Sequence, residues 1–140
     1  MVIYQLYNRI LGLPGAPIGP LDVSDITTHM CNLHWRPPAY DGGMRITHYV
    51  VERKDITHTH WVIVSSFCKE TTCIVHGLTE NQEYLFRVMA VNENGMGPAL
   101  TGVNPIKAKM PYGNYYTIYP AILILYHRTR FSKCRFLARP

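Results

Sequence analysis

Catalysis needs an acid, a base or a nucleophile converging on one pocket, and this chain spreads such groups thinly. Asp22, Asp25, Asp41, Asp55, Glu80 and Glu93 all fall in turn-like stretches, where carboxylates are ordinarily solvated. No phosphate-cradling glycine loop and no nucleophile elbow occurs. His58-Thr-His60 could place two imidazoles on one side of a strand as a partial metal site. A third ligand is missing nearby, and the pair falls in a loop, so a solvated turn is expected instead. The four cysteines, Cys31, Cys68, Cys73 and Cys134, include no C-x-x-C spacing, which argues against a zinc ribbon or a redox motif. Cys31 and Cys73 both phase inward on their strands. They are expected as small buried thiols rather than a bridge, because the strand register does not bring them opposite. The chain is therefore expected to be non-enzymatic, with no catalytic residue, no cofactor and no metal.

The elements that carry these groups follow from composition. Of 140 residues, 47% are hydrophobic and 16% charged, a globular balance sized for one domain. Ten prolines and ten glycines interrupt the chain too often for long helices, and ten tyrosines suit strands. The net charge of +5 is confined to the end. Residues 1–126 hold nine Lys/Arg against nine Asp/Glu, while Arg128, Arg130, Lys133, Arg135 and Arg139 carry the whole excess. A globular part of zero net charge lacks the electrostatic footprint of nucleic-acid binding. Met1–Arg9 has no basic start and too short an apolar run for a secretory signal. Neither Asn32, Asn81 nor Asn92 opens a glycosylation sequon. Together with the sparse cysteines, these features favour a reducing, cytoplasmic setting.

Apolar stretches and turn signals then alternate at short spacing. Leu13-Pro-Gly-Ala-Pro-Ile-Gly-Pro20 leads into an edge strand, where proline is tolerated, and Leu21–Ile26 alternates loosely. Cys31–Trp35 alternates strictly and stops at Arg36-Pro-Pro38. Tyr40-Asp-Gly-Gly43 is a turn cluster. Strands are expected over Ile46–Lys54, Trp61–Val64 and Thr72–Val75. Tyr84, Phe86, Val88 and Ala90 recur at period two, the clearest strand signal in the chain. Asn92–Pro98 is expected as a glycine-rich hairpin loop, and a broken strand follows from Leu100 to Ala108. Seven short strands between Pro17 and Pro111 amount to a β-sandwich.

An immunoglobulin domain would need a cysteine on one strand, a tryptophan on the next and a second cysteine near the sandwich corner. Here Trp35 shares a strand with Cys31, and Tyr84–Ala90 carries no cysteine. Trp35, Tyr49, and Leu78 six residues before Tyr84 instead resemble a fibronectin type III module, with an immunoglobulin-like seven-stranded antiparallel sandwich. The resemblance makes Tyr84 the corner tyrosine, its hydroxyl bonded to backbone a few residues upstream. Trp35-Arg-Pro-Pro-Ala-Tyr-Asp-Gly-Gly43, Ile46–Lys54 with Trp61, Gly77–Pro98 and Pro105–Tyr112 resemble modules of the titin, twitchin and projectin group of giant muscle proteins.

The expected core is Leu33, Trp35, Tyr49, Val51, Leu78, Tyr84, Phe86 and Val88, interdigitating between sheets about 10 Å apart. The loops Tyr40–Met44 and Asn92–Pro98 share one pole, which makes Asp41, Gly42, Gly43, Asn92, Asn94 and Gly95 the candidate partner-binding positions. The second loop lacks an adhesive Arg-Gly-Asp. Residues 1–13 are expected as an N-terminal extension and 14–112 as the module. Residues 113–140 are expected as a basic tail, disordered or non-native, since the family would continue into another module. The uncharged run 110–126 is at the lower limit of a membrane span, but Pro111, Gly113, Asn114 and Pro120 interrupt it and argue against one.

The resemblance implies one bead of a sarcomeric protein that organises the thick filament. Its implied partners are myosin or neighbouring immunoglobulin and fibronectin domains. The rival expectation is a repeat of a membrane-tethered receptor or adhesion protein.

Overall fold

Eight strands, β1 (Ile18–Ser24), β2 (Cys31–Arg36), β3 (His48–Asp55), β4 (Val62–Cys68), β5 (Thr72–Val75), β6 (Glu83–Asn92), β7 (Gly95–Thr101) and β8 (Ile106–Lys107), build two antiparallel sheets. They belong to a computed structural model, which describes residues 12–111. The first sheet has the order β1-β2-β5 and the second β4-β3-β6-β7, with β8 also paired to β6. No helix occurs among the described residues.

Alternation explains why these segments are strands and why they face each other. On β2, Cys31, Leu33 and Trp35 are buried while His34 and Arg36 are exposed. On β6, Tyr84, Phe86, Val88 and Ala90 point inward. Side chains two residues apart share a face, so each strand contributes one apolar row to the interior. Leu33, Trp35, Tyr49, Val51, Leu78, Tyr84, Phe86 and Val88 are all buried and belong to one cluster with Cys31, Val75, Ala90 and Ala108. The Trp35 indole meets the Tyr49 ring edge-on, with centroids 5.4 Å apart and planes at 70°. Its Nε1 is buried without a hydrogen-bond partner. Arg53 reaches from β3 toward the end of β5, donating from Nη1 to the carbonyls of His76 at 3.0 Å and Gly77 at 2.9 Å. Its guanidinium lies 5.5 Å from the Tyr84 ring centroid.

Three segments depart most from the sequence expectation. The last strand is two strands, not one, because the chain leaves β6 at Val103–Pro105, just after the Gly102 amide donates to the Phe86 carbonyl at 2.9 Å, giving eight in place of seven. The expected Asn92–Pro98 loop is mostly strand: Asn92 pairs directly with Gly95, so only Glu93 and Asn94 turn. Pro98 is accommodated because β7 is an edge strand with a register shift beside it. Finally, β4 begins after Trp61 and runs on to Cys68, with two register shifts against β3 that a plain alternation pattern does not foresee. The expected edge position of the first strand is observed, and Pro20 sits where its pairing to β2 is irregular.

Candidate functional site

One pole of the sandwich gathers three segments distant in sequence. β6 delivers Asn92 at its end, the β2–β3 connection delivers Asp41–Gly43, and the lead-in to β1 passes between them at Gly12. Asn92, 3% exposed, is the buried polar residue at this junction. Its Nδ2 donates to the carbonyls of Gly12 at 3.0 Å and Asp41 at 2.8 Å. Its Oδ1 accepts from the backbone N–H of Asn94 at 2.8 Å and Gly95 at 3.2 Å. All four bonds of the amide are thereby made, the condition under which a buried polar group stabilises rather than destabilises.

Backbone bonds reinforce the junction. The Gly12 amide donates to the Gly42 carbonyl at 2.8 Å, and the Gly15 amide to the Tyr40 carbonyl at 2.8 Å. Asn94 Nδ2 adds a donor to Gly12 at 3.1 Å, and the Gly43 amide is capped by Asp41 Oδ1 at 2.8 Å. Gly42 has φ +80°, and a Cβ there would lie 2.2 Å from the Gly12 carbonyl oxygen, so the position requires glycine. Gly97 is equally tight: a Cβ would lie 2.1 Å from the Pro14 carbonyl oxygen.

The six candidate positions therefore divide. Gly42 and Asn92 are buried and shape the pole from within, whereas Asp41, Gly43 and Asn94 are exposed on it and Gly95 is half-buried. Glu93, exposed beside Asn94, adds a second acid to the rim. The clasp on Gly12 escaped the sequence reading. Its one local signal is the Asn92-Glu-Asn-Gly95 spacing, in which the first amide can cap the turn that follows.

The opposite pole holds the corner. The backbone N–H of Thr79 donates to the Tyr84 phenol oxygen at 3.0 Å. Ala108 closes this end, donating to the Gln82 carbonyl at 2.9 Å and accepting from the Asn81 amide at 2.7 Å.

His58 and His60 are exposed on the turn after β3. His58 lies 3.5 Å from Asp55. Asp55 is held at about pKa 2, chiefly by the amide of Thr57 and then by its hydroxyl, with Gln82 and His58 adding to these against a partial desolvation. Cys31 pairs across strands with Val75, and Cys73 with Leu33, so these two thiols are not opposite. Burial pushes the Cys31 thiol up to about 12, with the neighbouring Cys73 adding to the shift and Arg53 opposing it. The uncharged run beyond Pro111 and the basic tail lie outside the described residues. Among the described residues, no helix is long and apolar enough to cross a membrane.

The outer face of the second sheet carries a feature that alternation alone does not show. The Trp61 ring lies under the Arg87 guanidinium at 4.4 Å and near Lys54 Nζ at 5.3 Å. Glu52 pairs with the same arginine. Phe67 stacks on His48 at 4.4 Å.

Residues 16–104 match the fibronectin type III domain family. A titin homolog of Caenorhabditis elegans is 37% identical over 109 residues, covering 77% of this chain and 1% of that protein. Human slow-type myosin-binding protein C is 35% identical over 89 residues, covering 63% of this chain and 8% of that protein. The chain thus spans a small fraction of the length of the relatives it matches. Among solved structures, domains A168–A170 of titin align with a TM-score of 0.66 at 35% identity, covering 70% of this chain and 33% of that one.

Proposed function

This chain belongs to the fibronectin type III family, and on that premise we propose that it is a non-enzymatic structural and protein-binding module, one bead of a titin- or twitchin-like myofibrillar protein. The supporting observation is the placement of the two ends of the sandwich. The chain comes in at Gly12, clasped to Asn92 at one end of β6, and goes out past Ala108, bonded to Gln82 just before the other end. Between them β6 runs its full length, about 30 Å at ~3.3 Å per residue. A module clamped at opposite poles transmits tension along its strands and sets a fixed spacing between its neighbours.

Residues 14–112 form the module in this reading, flanked by 1–13 and 113–140. The sarcomere is its setting, and its partners are thick-filament myosin or adjoining immunoglobulin and fibronectin domains. Similarity to titin-like proteins and to a myosin-binding protein supports this assignment. The rim residues Asp41, Gly43 and Asn94, exposed around a rigid junction, are the surface offered to such a partner.

Two measurements test the proposal. A tandem array of the chain stretched by force spectroscopy should show one discrete unfolding step per module; a smooth elastic response would refute the mechanical role. Co-sedimentation with myosin filaments should weaken for Asp41→Ala and Asn94→Ala, compared at a temperature where circular dichroism shows each variant folded, since each also loses one bond at the junction. Equal retention of both variants would remove the pole from the docking surface.

A further inference from the structure

Of the groups that the mechanical role leaves unused, the cysteines between the two sheets carry the most. The chain leaves β4 in the second sheet at Cys68 and joins β5 in the first sheet at Thr72, after only Lys69, Glu70 and Thr71. Cys68 and Cys73 both pack against the core cluster from this crossing. The Cys68 Sγ donates to the Thr72 carbonyl at 3.2 Å, which brings it to the residue adjoining Cys73. Both thiols are free, and both are half-buried rather than sealed.

We propose that Cys68 and Cys73 form an oxidisable pair, which a hydroperoxide closes into an intradomain disulfide tying β4 to β5 and so one sheet to the other. Cys31 is excluded as the partner of Cys73 by register. It lies diagonally across the β2–β5 ladder, where side chains sit roughly 7–8 Å apart, and a disulfide needs Cβ atoms within about 4.5 Å.

The chemistry balances with the peroxide as the only oxidant. The Cys68 thiolate attacks one peroxide oxygen, the O–O bond breaks, and the departing hydroxide takes a proton to leave as water. The sulfenic acid left on Cys68 is then attacked by the Cys73 sulfur. The S–O bond breaks as the S–S bond forms, and the second water carries away the Cys73 proton. Two thiols lose two electrons in all, and one hydrogen peroxide becomes two waters. Burial, with the adjoining Cys68, pushes the Cys73 thiol up to about 11, so Cys73 stays protonated until it attacks the sulfenic sulfur.

The full chain treated with hydrogen peroxide, blocked with iodoacetamide and digested with trypsin gives a direct answer. Cleavage after Lys69 leaves Asp55–Lys69 and Glu70–Arg87 joined only through this disulfide, and dithiothreitol separates them. The linked pair should appear in the wild type, Cys31→Ser and Cys134→Ser, and be absent in Cys68→Ser. The oxidised wild type should melt several degrees above the reduced protein. A linkage through Cys31 or Cys134, sulfenic or sulfinic acid without linkage, or an unchanged melting temperature would overturn the proposal. The wild-type digest and melt need no variant to fold.

Discussion

The phenol oxygen of Tyr84 accepts the backbone N–H of Thr79 at 3.0 Å, five residues upstream of it in the chain. The corner of the sandwich is thus held by a satisfied amide donor, with the hydroxyl oxygen serving as acceptor rather than donor. The distinction decides which group is stranded when the hydroxyl is removed.

Tyr84→Phe leaves the Thr79 amide without its acceptor while keeping the buried ring. A loss of about 1–3 kcal/mol is expected, measured by urea unfolding. The Thr79 amide should also exchange faster with solvent than its neighbours. Unchanged protection at Thr79 would show that the bond contributes nothing.

Asn92 is the corresponding test at the other pole. Asn92→Ala removes the two donors and the acceptor that bind Gly12, Asp41, Asn94 and Gly95. The expected cost is on the order of 2–3 kcal/mol, together with faster amide exchange at Gly12 and Gly15. Gly42→Ala attacks the same junction by sterics and should cost about 1–3 kcal/mol through strain at φ +80°. Force spectroscopy on either variant should show a lower unfolding force, because the lead-in is no longer clasped.

Trp35 offers a contrast between volume and polarity. Trp35→Ala opens a cavity between the sheets and should cost about 3–5 kcal/mol. Trp35→Phe also removes the indole N–H, which is buried without a partner, so part of the lost packing is offset and the variant should be clearly more stable than Trp35→Ala. Denaturant titration followed by Trp61 fluorescence ranks the two.

Asp55 gives the pH dependence. Its folded pKa, about 2, lies below the ordinary carboxyl value of 3.8, so the folded state holds its proton less tightly than the unfolded state does. The stabilisation it provides is fully present above the unfolded value and is lost as pH falls through the folded one. Acid unfolding of the wild type should therefore steepen between about pH 4 and pH 2. Asp55→Asn should flatten that segment, and carbon-detected NMR titration of Asp55 should give the low midpoint directly.

The alternation of Cys31, Leu33 and Trp35 and of Tyr84, Phe86, Val88 and Ala90 made the sandwich legible before any coordinates. So did the proline- and glycine-marked turns between the strands. The edge position of the first strand was equally visible, because Pro20 cannot serve a central ladder. The bulges of β4 and the break between β7 and β8 were not legible: both depend on how a neighbouring strand accommodates the chain, which no single segment encodes. The pole loops were placed together by topology, but the division of their residues into buried and exposed was not.

Sequence by itself settled the class of fold, since periodicity and turn chemistry are local and survive in a linear reading, while its ordered motifs carried the resemblance to the family. Tertiary structure alone decided what the polar groups do. The partners of Asn92 lie 80 and 51 residues away, and the Cys68 thiol reaches the Thr72 carbonyl across the short crossing between the sheets. A hydrogen bond or a thiol contact forms when distant segments are brought within a few ångströms, and that closeness is a property of the closed sandwich rather than of any stretch of chain.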